Sequence, residues 1–69
     1  MKQYTIIIKG RLEESWKEWF DGMDFLYEGD NTILSGKLQD EAALYGILDR
    51  IRDLNLKLIS VNSDNQKKD

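Results

Sequence analysis

Apolar residues recur along this chain with two distinct periods, and the switches between them divide it into six elements. From Asp40 to Val61 it reads DEAALYGILDRIRDLNLKLISV, with Leu44, Ile47, Leu48, Ile51 and Leu54 at three- and four-residue steps. That spacing places side chains on one face of a helix. Asp40 suits its N-cap and Asn55 its C-terminal cap. Ala42, Ala43 and Gly46 keep part of the helix slim. Leu56–Val61 is apolar and β-branched, as a half-buried strand is. At the other end, Met1–Lys9 sets Tyr4, Ile6 and Ile8 against Thr5, Ile7 and Lys9, a strand pattern that Gly10 interrupts. Leu12, Trp16, Trp19 and Phe20 return to helical spacing. They predict a first helix with Leu12, Trp16 and Phe20 toward the sheet, Trp19 to one side, and a left-handed stop at Gly22. Glu13 and Glu14 fall in its first turn, where the helix dipole favours negative charge.

Met23–Glu28 alternates again and predicts a second strand. The turn residues Gly29-Asp30-Asn31 then lead into a third, Thr32–Leu38, with Leu34, Gly36 and Leu38 on one face. Gly36 would let a helix approach closely. The order is strand, helix, strand, strand, helix, strand. With right-handed crossovers this gives an α+β, ferredoxin-like βαββαβ sandwich: a four-stranded antiparallel sheet with both helices on one face. Strands one and three are expected at the centre, two and four at the edges. A single domain over residues 1–61 and a flexible polar tail over 62–69 complete the expected organisation.

Several runs resemble a family of small, free-standing prokaryotic proteins of unknown function. They are Lys9-Gly10-Arg11-Leu12, Trp19-Phe20-Asp21-Gly22, Leu34-Ser35-Gly36, Asp40–Leu48 and Arg50–Leu54. The resemblance spans about Tyr4 to Val61. It implies a complete one-domain protein, supports the same architecture, and carries no catalytic residues with it.

Length and charge narrow the function. A chain of 69 residues sits near the lower limit for an unassisted core. With no Cys and no His, neither a disulfide nor a structural zinc supports it. Packing or self-association must supply the stability. A net charge of −3 and a pI near 4.8 oppose a surface that tracks nucleic-acid phosphates. No segment has the length of a membrane span or the core of a signal peptide, so the cytoplasm is the default compartment.

Chemistry is thinly represented. Without His or Cys the chain lacks the usual neutral-pH base, the thiolate nucleophile and the imidazole ligand. The thirteen Asp and Glu residues form no calcium-loop pattern, and Asp21–Asp24 and Glu28–Asn31 read as turns. Lys9-Gly10-Arg11-Leu12 lies where acylphosphatases cradle a phosphate. Here Glu13 and Glu14 follow instead of a second Gly and an Arg, and they would repel an anion; Arg11 reads as a solvated loop charge. RNA-recognition motifs present stacking aromatics on the open faces of strands one and three; Thr5, Ile7, Lys9, Ile33 and Ser35 stand there instead. On the second helix, Arg50 and Arg52 are expected to pair with Asp53 and Asp49.

The open side of the sheet is the remaining candidate. It is expected to carry Ile7, Leu26, Ile33 and either Leu58 or the pair Ile59 and Val61. The favoured phase turns Ile59 and Val61 inward and leaves Leu58 outside. An apolar strip on a helix-free face is commonly covered by a partner. The expectation is therefore a non-enzymatic protein with no cofactor and no metal, which forms homodimers or docks on another protein through Ile7, Leu26, Ile33 and Leu58. Nucleic acid and membrane are not expected partners. The alternative is a small-ligand sensor resembling the ACT domains, with Gly10 in the loop after the first strand.

Overall fold

A computed structural model describes residues 2–64. The elements run β1 (Lys2–Lys9), a 3-10 helix (Glu14–Phe20), β2 (Asp24–Glu28), β3 (Asn31–Leu38), α1 (Glu41–Asp53) and β4 (Lys57–Asp64). The four strands form one antiparallel sheet in the order β2-β3-β1-β4, with β1 and β3 central as the sequence implies. Along β1, Tyr4, Ile6 and Ile8 are buried while the residues between them are not. Ile6 lies opposite Leu34 on one side and Val61 on the other. With Phe25, Leu38, Phe20, Ile47 and Ile51 these side chains make a single core between the sheet and the helical layer. The two-residue hairpin joins Glu28 to Asn31, and Gly29 takes the positive φ that its first position requires.

The helical layer is uneven. α1 packs over β3 and β4, whereas the first helical segment is a 3-10 turn lying against β2. This corrects the expectation of two helices on one face: among the described residues α1 is the one α-helix packed there. It also changes which side chains align. An α-helix stacks residues four apart, a 3-10 helix residues three apart. Trp16 therefore meets Trp19, with ring centroids 5.2 Å apart, instead of following Phe20 into the core. Phe20 alone is fully buried, edge-on to Phe25 at 6.1 Å. Both indoles remain 38–40% exposed. Local chemistry favours the tighter winding: Glu13 at the N-cap makes no side-chain capping bond, and the Trp16 N–H donates to the Glu13 carbonyl at 3.0 Å, three residues back. Asp21 and Gly22, both left-handed, end the segment.

α1 is capped at both ends as its sequence suggests. The Asp40 carboxylate accepts the Ala43 N–H at 2.9 Å. At the other end Asn55 is left-handed, the Asn55 N–H reaches the Arg52 carbonyl at 2.9 Å, and the Leu56 N–H reaches Ile51 at 3.0 Å. That is a Schellman closure with Asn in the usual Gly position. Two details differ from expectation. Arg52 pairs with Asp49 at 3.3 Å, but Arg50 reaches Asp21 at 3.6 Å and so ties α1 to the end of the 3-10 helix. The close neighbour of Gly36 is Met23, entering β2, and not a helix: a Cβ there would lie 3.4 Å from the Met23 backbone.

β4 supplies the last correction. Ile7 pairs with Ser60 and Ile8 with Leu58, so Ile59 is an extra residue in a β-bulge. The bulge resets the alternation. Val61 faces inward, opposite Ile6, as expected, but Leu58 also falls on the helix side, opposite buried Ile8. Strict alternation cannot place both inward, and only the extra residue between them reconciles the two. The strand also continues past Val61: Asn62 and Ser63 pair with Thr5 and Tyr4. Their polar side chains hide a ladder that β1 is long enough to support. Of the polar tail expected over 62–69, residues 65–69 lie outside the described residues.

Candidate interaction surface

Residues directly opposite on neighbouring strands share a face of the sheet, so the register defines what the helix-free side presents. One row crosses all four strands as Leu26, Ile33, Ile7 and Ser60. Ile7 and Ile33, on the central strands, are half-buried by their neighbours, and Leu26 on the β2 edge is 55% exposed. To one side runs Asp24, Ser35, Thr5 and Asn62; to the other, Glu28, Asn31, Lys9 and Lys57. Within the polar region the Gln3 side-chain amide donates to the Ser35 hydroxyl at 3.0 Å. The face is thus one apolar row between two hydrophilic ones, the second of them charged at both ends. Ile7, Leu26 and Ile33 are brought together as the sequence suggested. Leu58 is not: it lines a groove on the opposite side with Leu48, Ile51 and Leu56.

The loop after β1, the other region singled out by sequence, is built differently from a ligand cradle. Gly10, at φ +96°, donates its N–H to the Asp30 carbonyl at 2.7 Å. Thr32 is fully buried, and its hydroxyl accepts the Leu12 N–H at 2.9 Å while donating to the Gly10 carbonyl at 2.6 Å. The N–H groups of Gly10 and Leu12, which an anion-binding loop would present, are both taken by internal acceptors. Arg11 is exposed in this loop, as the sequence suggests, and its guanidinium lies 4.5 Å from the centre of the Tyr27 ring. The Tyr27 hydroxyl in turn donates to the Leu12 carbonyl. Thr32 falls in the third strand as the sequence implies and shares the alternation of Leu34 and Leu38, but nothing in the sequence marks its hydroxyl as the group that fastens the loop after β1.

Among the described residues no group of three or more Asp and Glu side chains is disposed to hold a metal ion, and no helix is long and apolar enough to cross a membrane. Among the described residues the remaining exposed large apolar side chains are the Trp16–Trp19 pair, Tyr45 on α1 and Ile59, which the β4 bulge leaves half-exposed and not turned inward as expected.

What the fold and this surface define is a small α+β domain whose four-stranded antiparallel sheet carries one apolar row on its helix-free face. A family described as a domain of unknown function, DUF8691, matches residues 3–62, and the chain belongs to that family. No curated protein and no solved structure matches the chain.

Proposed function

We propose that this domain is a non-enzymatic interaction module that docks on protein through the helix-free face of its sheet. One observation carries the reading: the register lines up Leu26, Ile33 and Ile7 in a single apolar row on a side that no helix covers. Read from the β4 edge, the strand order is β4-β1-β3-β2, and we take the frame as ferredoxin-like with its first helix reduced to a 3-10 turn. A core this small gives docking a second motive, because covering the row adds apolar burial that one chain cannot supply. The module is expected to act in the cytoplasm, without metal or cofactor.

The small-ligand alternative has less to stand on. A sensor of that kind needs open backbone donors in the loop after β1, and those of Gly10 and Leu12 are engaged internally. Replacing Ile7 with Glu tests the docking reading. Ile7→Glu is expected to abolish association, both with itself by light scattering over a concentration series and with any protein recovered from the native host on immobilised wild-type chain. Unchanged behaviour in both assays contradicts it.

A further inference from the structure

We infer that the occupant of the open face is a second copy of this chain, related by a two-fold axis parallel to the strands and running between β1 and β3. The inference rests on the docking reading above and commits it to one partner. Its starting point is an unfavourable arrangement within one chain. Lys9 and Lys57 are directly opposite each other on neighbouring strands, on the helix-free face. Like charges so placed destabilise a sheet. The ion pairs among the described residues join Lys17 to Asp24, Arg50 to Asp21 and Arg52 to Asp49. None of them reaches Lys9, Lys57 or Glu28.

Glu28 stands in the same cross-strand row, at the opposite margin of the sheet. A two-fold along the strands exchanges the margins. It lays β2 over β4 of the second copy and β3 over its β1. Glu28 then meets Lys57 of the second copy at both ends of the row, and Ile33 meets Ile7 twice at the centre. The other in-plane axis, along the apolar row, would instead set Glu28 over Asp24, whose carboxylate Lys17 already pairs, and Lys57 over Asn62, so that neither gains an opposite charge. Charge therefore selects the first arrangement. Shape permits it, because a rotation preserves the hand of a twisted sheet and two such sheets stack aligned at about 10 Å. The three rows, at roughly 6.8 Å per row across four strands about 4.8 Å apart, together with the Gln3–Lys37 pair beyond them, cover on the order of 450–500 Å². Two copies would bury about 1,000 Å², the lower bound for a specific interface, so the dimer should dissociate on dilution.

The test is a charge exchange, read by sedimentation equilibrium on the full chain. Glu28 and Lys57 are both exposed, so their replacement leaves the core intact. Wild type is expected to dimerise with concentration, and more weakly as ionic strength rises. Glu28→Lys and Lys57→Glu should each raise the dissociation constant about tenfold, and the two together should restore it to within about threefold. Failure of the double variant to recover overturns this geometry. So do indifferent single variants whose dimer is still broken by Ile7→Glu, an outcome that leaves the docking face standing. A wild type that stays monomeric up to about millimolar concentration overturns the second copy as occupant. The docking reading would then rest on recovery of a different protein from the host.

Discussion

Among single side chains, Thr32 carries the most structure per atom. One hydroxyl satisfies a backbone donor and a backbone acceptor of the loop after β1; the side chain itself is fully buried, as is its bond from the Leu12 N–H, while the bond to Gly10 is part-buried. Thr32→Val keeps the shape and removes both bonds, leaving Leu12 N–H and Gly10 C=O without partners. An unsatisfied buried group costs on the order of 1–3 kcal/mol, so the variant should lose about 2 kcal/mol in denaturant titration. Thr32→Ser retains the hydroxyl and should lose less. Equal losses for the two would mean that the methyl group, and not the hydroxyl, is what the site needs. The same scale shows where side-chain type misleads. Trp16 reads as core because it is large and apolar and four residues before Phe20, yet the winding of its backbone, not its own chemistry, decides which way it points.

Elements differed in how plainly the chain announced them. α1 was legible in full, since its apolar stripe and both caps agree, and Asp40 and Asn55 make the bonds their positions suggest. The hairpin at Gly29-Asp30 was equally plain. The first helical segment was not: seven residues with no capping bond and two indoles cannot enforce α winding, and period-four spacing between Leu12, Trp16 and Phe20 survived only by coincidence. β4 was legible as a strand but not in phase, because a bulge leaves no sequence mark when the extra residue is another aliphatic, here Ile59. Gly46 offers a test at this scale. It lies inside α1, and a Cβ there would meet nothing within 4 Å, so its smallness serves no close approach. Gly46→Ala should stabilise the protein by about 0.5–1 kcal/mol, seen as a higher urea midpoint with unchanged slope. A lower midpoint would indicate that something packs against this position.

At the level of the whole molecule, the asymmetry between the two sides of the sheet organises everything else. One side is closed by α1, by Phe20 and by the loop that Thr32 fastens; the other offers a single apolar row with charges at its margin. The sequence showed which residues share that row on the three strands whose alternation is regular, and failed on the fourth, where Leu58 turned out to belong to the groove beside α1. The surface also carries a rival, the exposed Trp16–Trp19 pair on the helical side. The two can be separated because they lie on different elements: β1, β2 and β3 for the row, the 3-10 helix for the indoles.

The claim on which all of this turns is that the molecule meets other protein with its uncovered strands and not with its helical layer. Amide and indole resonances followed by heteronuclear NMR, as the concentration is raised from dilute to near-millimolar, address it directly. Shifts confined to Ile7, Ile33, Ser35, Glu28 and Lys57, with both indole signals unmoved, are the expected outcome. Movement of the Trp16 and Trp19 indoles while those strand amides stay still would contradict it.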